Sequence, residues 1–261
     1  MSKILSGMLL AGLLATASQA DLLRVEMGGG AWSNEISGPI QYKNLAQYNA
    51  DNLGYSTETK PYLWLNVKHP IPILPNLRLE YADVSFSGNS TQPFEYDGRR
   101  FDAFTYSETT MTQIDTILYY NLLDRTAWIT LDVGLDVKYM DASFKANGEA
   151  TLIVGGPTFY QSVDESEKLV LPLLYTRLRV DLPLDIGIEG SAKYLKYKDS
   201  KMSDLSIKAD YTLVDVLPFD VGLEVGYRFE NINLNQDDFD SIDVDVDLDI
   251  KGVFAGAVVK F

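Results

Sequence analysis

The sequence predicts an all-β chain: a transmembrane antiparallel up-and-down β-barrel of about ten strands, with eight as the alternative count. Three observations predict it. Long stretches alternate apolar and polar residues with a period of two, a motif recurs 35 residues apart, and the connections are alternately short and long. The motif is seen in Leu131–Val137, Leu184–Gly190 and Phe219–Val225, where large apolar residues alternate with Asp, Gly, then Asp or Glu. Leu182-Pro183 and Leu217-Pro218 introduce the second and third copies. Proline lacks the N–H a ladder needs and belongs at turns and strand edges, so the strands rise away from these two points.

From the amino terminus, Lys3 precedes an apolar run from Ile4 to Ala15 and the small residues Thr16-Ala17-Ser18-Gln19-Ala20. The pattern predicts a signal peptide over residues 1–20, cut after Ala20, followed by one domain over residues 21–261. An apolar stretch of about 12 residues falls short of the roughly 20 that a membrane-spanning helix needs. Period-2 segments then follow at 22–33, 57–68, 76–87, 106–121, 126–144, 167–181, 184–198, 203–216, 219–232 and 241–261. Most exceed 12 residues, against about 5 to 6 for a globular strand. Connections near Pro70–Pro72, Leu122–Asp124, Pro183 and Pro218 are short; those at 34–56, 88–105, 145–166 and 233–240 are longer and polar, and Asp199-Ser200-Lys201 is a brief one on their side. Both chain ends therefore lie on the short-turn side.

One parity carries Ala127, Ile129, Leu131, Val133, Leu135, Val137 and Tyr139 on one strand, and Phe219, Val221, Leu223, Val225, Tyr227 and Phe229 on another. These face lipid in a barrel, and tyrosines near strand ends, such as Tyr119, Tyr194 and Tyr197, suit its interfacial girdles.

The last strand alternates Val253, Ala255, Ala257, Val259 and Phe261 on one parity and ends on an aromatic carboxyl terminus. It resembles the sorting signal of Gram-negative outer-membrane β-barrel proteins. More loosely, the chain resembles a group of small barrels from marine and related bacteria with no established role. The resemblance implies export to the bacterial outer membrane, short periplasmic turns, longer external loops, and contact with outer-membrane lipid and lipopolysaccharide. It also implies that the barrel-assembly machinery reads Val259 and Phe261. No catalytic motif comes with it.

Without cysteine, the chain is neither a lipoprotein acylated at cysteine nor a disulfide-stapled domain. Once Lys3 is lost, 21 basic side chains face 37 acidic ones, a formal charge of −16, which excludes a basic nucleic-acid surface. No cofactor is implied, and no feature of the sequence specifies an oligomeric state.

A barrel of about this size is narrow enough for side chains to fill. The parity opposite the lipid face carries Asp132 and Asp136, Asp185 and Glu189, and Asp220 and Glu224, with Arg177, Arg179, Lys193 and Lys208 on the intervening strands. A hairpin centred on Pro183 sets Arg177 opposite Glu189. These residues are expected to form a charge network filling the lumen, the alternative being a narrow charge-lined conduit. Asp243, Asp245, Asp247 and Asp249 share one face of the last strand at about 7 Å spacing and are candidate cation ligands. Two such charges repel by only about 0.6 kcal/mol in water, so a solvated ladder needs no metal. Either a bulge near Lys251-Gly252 turns this face inward, or the aspartates stand above the membrane. In the 37–54 loop, Leu45 and Tyr48 fall at helical spacing, so an ordinary external loop and a short helix over the mouth are both open.

The functional expectation is an integral outer-membrane barrel with a non-catalytic structural or surface-binding role. The alternative is a narrow channel for ions or small solutes, and a membrane-embedded hydrolase is the remaining class. Omptin proteases share the strand number and use paired acids with a histidine at the external rim. Here His69, the only histidine, falls in a short turn at the opposite end.

Overall fold

The computed structural model describes residues 23–42, 47–71, 73–126, 128–216, 219–239 and 244–261. The expected signal peptide, Ala127, Pro72, the Leu217-Pro218 turn, most of the candidate helix before Tyr48, and Asp243 lie outside the described residues. Ten strands form the barrel wall: β1 (Arg24–Ser37), β2 (Glu58–Lys68), β3 (Asn76–Asn89), β4 (Tyr106–Thr126), β5 (Ile129–Leu152), β6 (Phe159–Leu182), β7 (Ile186–Tyr197), β8 (Ser200–Val216), β9 (Phe219–Leu234) and β10 (Val244–Lys260). Each pairs antiparallel with its neighbour in sequence, and β1 closes on β10 from Glu26↔Lys260 to Ser37↔Asp249. Closure removes the free edges that an open sheet would expose.

Small residues line the closing seam because the two backbones approach closely there. Gly30 lies opposite Gly256, and a Cβ on Gly30 would meet the Ala255 carbonyl oxygen. Past β1, Gly38 takes φ +116°, which a glycine tolerates freely. The chain then continues as a short strand, Pro39–Tyr42, along the upper part of β10 and turns back through Tyr48–Asn49 into the 3-10 turn Ala50–Leu53. The helical turn thus lies beyond Tyr48. Ala50 and Leu53 are fully buried, so this connection tucks into the mouth.

The expected loop at 145–166 is largely sheet, and that at 88–105 holds a short hairpin. β5 runs to Leu152, β6 starts at Phe159, and a hairpin of Phe94–Tyr96 and Arg99–Phe101 pairs onto the top of β5. The reason is an inversion of polarity along the wall. In the lower storey, β9 points Phe219, Leu223, Val225 and Tyr227 outward and buries Glu224 and Glu230. The outward run from Phe219 to Phe229 covers ten residue steps, about 33 Å along the strand and about 25 Å vertically at a 40° tilt, the height of the apolar band of such barrels. Above it the pattern reverses. On β10 Lys251 and Asp249 face out, Ile250 and Leu248 are buried, and pairing to β9 runs without a bulge from Asp220↔Lys260 to Leu234↔Val246. The aspartates therefore stand above the band, and no register flip occurs. Met140 on β5, Met111 on β4 and Met202 on β8 likewise point into an apolar interior that includes Trp32, Phe86 and Phe101. The outer storey is built like a soluble β-protein, with a dry core and a wet exterior.

The wall has more than one gap among the described residues: residues 83–89 of β3 pair only with β4, and a longer gap follows β6. Leu174–Leu182 of β6 pair with β7, whereas residues 159–173 pair only with β5 among the described residues. Pro172 sits on this free edge, and Asp164, Glu165 and Lys168 are exposed along it, features that blunt edge-to-edge association.

Candidate functional site

Inward parity on β3 to β9 brings a continuous network of buried charges into the lower storey. At its base Arg177 binds Asp132 at 2.6 Å and Glu189 at 3.2 Å, and Arg179 binds Asp210 at 2.5 Å. Lys260 joins Asp210 at 2.6 Å, and Lys208 joins Glu224 at 2.9 Å. Higher up, Lys193 contacts Glu80 and Asp115, each at 2.6 Å, and Arg228 contacts Asp204 at 2.6 Å. Lys138, 0% exposed, reaches Asp115, Glu230 and Asp204 at 3.0, 3.3 and 3.4 Å. Arg78 links the two levels, 2.6 Å from Glu80 and 3.4 Å from Glu189.

Aromatic residues close the gaps between these charges. Tyr62 and Trp64 both donate to Glu224 Oε1, at 2.8 and 2.9 Å. Lys208 Nζ lies 4.0 Å from the Trp64 ring centre, and the Arg228 guanidinium 4.9 Å from that of Trp32. Cations held over ring faces gain from the ring quadrupole while staying out of water. The lumen cavity between Trp64, Lys193 and Arg228 amounts to about 60 Å³, space for only a few water molecules.

Of the sequence-derived set, the structure brings together Asp132, Arg177, Arg179, Glu189, Lys193, Lys208 and Glu224, with Asp136 buried on the same face of β5 as Asp132. Asp185 and Asp220 sit elsewhere. Asp185 is exposed in the β6–β7 turn at φ +60°, its carbonyl accepting from the Thr212 amide. Asp220 is half-buried at the lower rim, opposite Asp215 across the β8–β9 ladder. Asp136 is fully buried on β5, yet neither of its carboxylate oxygens has a hydrogen-bond partner. The β6–β7 hairpin centres on Leu184 because its turn comprises Pro183, Leu184 and Asp185, so Arg179, and not Arg177, is the register partner of Glu189. Arg177 reaches the same carboxylate diagonally. Glu80, Asp115, Asp204 and Glu230 were outside the expected set, although each has the inward parity of its strand.

The aspartates of β10 lie on the exterior. The Asn231 side-chain amide donates to Asp249 at 2.8 Å and to Asp247 at 3.1 Å, and the Gln236 amide donates to Asp245 at 2.8 Å. Among the described residues, no group of three or more acidic or histidine side chains converges in a way that could hold a metal ion. In the loop before β10, Asp238 Oδ2 accepts from the Ser200 hydroxyl at 2.6 Å and from the amides of Ser200 and Asp199. These donors hold its carboxyl below the usual aspartate range.

A second cavity, of about 130 Å³, lies in the outer storey. Met111 and Met140 line one side and Ile232, Leu234 and Leu248 the other. Its rim next to the free edge of β6 carries Glu165 and Glu167.

His69 is placed in the β2–β3 turn. One ring nitrogen accepts from the Ile71 amide at 3.1 Å, and the other lies 3.0 Å from the Pro75 carbonyl oxygen, so the ring braces the turn.

The chain matches no family model and no curated protein in sequence. Among solved structures it is similar to the outer membrane protease OmpT from Escherichia coli, with 11% identity over 93% of this chain and 97% of that one and a TM-score of 0.53. It also aligns with the attachment invasion locus protein Ail of Yersinia pestis, at 10% identity over 92% and 99% of the chains and a TM-score of 0.36. The Pseudomonas putida toluene transporter TodX aligns at 10% identity over 94% and 91%, with a TM-score of 0.28. The fold is that of the Gram-negative outer-membrane β-barrels. Within that class this chain is a closed ten-strand up-and-down barrel.

Proposed function

We propose that the protein is a sealed, non-conducting barrel of the bacterial outer membrane that carries a rigid, non-catalytic binding storey at the cell surface. The observation that carries this reading is the ion-pair network, which fills the lumen from Arg177 and Asp132 at its base to Arg228 and Glu230 at its top. Residues 1–20 serve as the cleaved export signal, Val259 and Phe261 as the signal for the assembly machinery, and the outward apolar band as the contact with lipid beneath the lipopolysaccharide sugars. His69 braces a turn at the end remote from the outer storey, which supports a role without histidine-dependent hydrolysis.

Planar-bilayer recording tests the proposal against the channel alternative. Folded wild-type protein should insert without conductance steps across a range of salts and voltages. Reproducible single-channel steps that change with Arg177→Ala or Asp132→Ala would overturn it.

A further inference from the structure

We infer that the cavity in the outer storey is a binding site for one uncharged apolar molecule of about single-ring size. The inference goes beyond the sealed-barrel reading, and its test reads ligand binding where that of the sealed barrel reads conductance. Its volume of about 130 Å³ approaches that of engineered apolar cavities that stay dry and take up benzene or xenon, about 150 Å³. The void is local. Leu171, Leu173 and Ile250 in the same storey are 0% exposed and packed, so looseness is not general to this core. A protein interior normally closes such a gap, because the atoms lining it forfeit van der Waals attraction, and an occupant of the right size restores that attraction.

The lining suits a small, variable guest. Met111 and Met140 are unbranched and polarisable and can adapt to its outline. The rim defines the charge of the guest. Glu165 and Glu167 border the cavity on β6, along the stretch where residues 159–173 pair only with β5 among the described residues. The Glu165 carboxylate at the border disfavours an anionic guest, and the predominantly apolar lining favours an uncharged one.

Methyl NMR of the full folded barrel in detergent micelles, with 13C-labelled methionine methyl groups, tests the assignment using benzene as the probe. Met27 lies on the outer, lipid-facing wall and reports partitioning into the micelle. The methyl groups of Met111 and Met140 should shift saturably with benzene while Met27 drifts linearly, and benzoate should bind at least tenfold more weakly. Ala142→Leu, which fills the cavity from β5, should weaken benzene binding at least tenfold in a barrel that still shows the gel shift of the folded state. Val246→Phe fills it from the opposite wall and replaces that variant if Ala142→Leu does not fold. Linear shifts at all three methionines, benzoate binding equal to benzene, or saturable binding retained in the filled variant would each overturn the assignment.

Discussion

Lys138→Met isolates the contribution of a single buried cation to the lumen network. Methionine keeps the unbranched stem and removes the ammonium, which is 0% exposed and has three carboxylates within 3.4 Å. The losses are unequal. Asp115 keeps Lys193 at 2.6 Å, and Asp204 keeps Arg228 at 2.6 Å. Glu230, itself 0% exposed, keeps Arg228 at 4.0 Å and the Gln113 side-chain amide at 2.8 Å among the described residues. The variant therefore amounts to one carboxylate left uncompensated in a dry site, for which removal of one partner costs about 3–5 kcal/mol. With a urea dependence of about 2 kcal/mol per M, the unfolding midpoint should fall by about 2 M. Tryptophan fluorescence during urea unfolding in lipid vesicles, checked against the gel shift of the folded barrel, measures it. Lys138→Met combined with Glu230→Gln should recover more than half of the loss, because the two residues share one interaction. A midpoint within about 0.5 M of wild type would put Lys138 on the scale of a surface ion pair, about 1 kcal/mol or less, and refute the reasoning.

Gly30→Val should obstruct closure between β1 and β10, since the added side chain meets the Ala255 carbonyl. A loss of at least about 1–3 kcal/mol, with Gly30→Ala less affected, is expected as a reduced folded fraction on the gel. The Asp238 contact with Ser200 should depend on pH. A carboxyl held below its usual range contributes stability that is fully present above the unfolded aspartate value, near 3.9, and is lost as pH falls through the lower folded value. The distance between spin labels at positions 198 and 237 should therefore be constant from pH 7 to 5 and lengthen only below about pH 4; no change down to pH 2 would contradict it.

The wall was legible because its signal is local. Successive residues of a strand face opposite sides, so a few apolar positions such as Leu223, Val225 and Tyr227 assign every inward neighbour. That logic also marked Asp132, Arg177 and Glu224 as inward. It could not pair them across the barrel, because contacts over the lumen depend on tilt and stagger, which no single strand encodes. Arg78 and Glu189 illustrate the limit, being adjacent in space from strands far apart in sequence. The tops of β5 and β6 were missed for another reason. Ala146 and Ala150 continue the inward face of β5, but the outward face there bears Asp141, Lys145 and Asn147, and a strand that turns polar on its outer side reads as a loop when lipid is assumed to surround it.

The reversal of polarity between the storeys also acts as a float line. If the barrel sank by two residues per strand, the outward Lys251 and then Asp249 would enter hydrocarbon, where a lysine costs about 2–4 kcal/mol at the midplane and less near the surface. If it rose by the same amount, Phe229 and Tyr227 would leave the band for water. Both displacements are resisted around the circumference, so the height at which the outer chamber rides above the lipid is set by the chain itself and needs no tether.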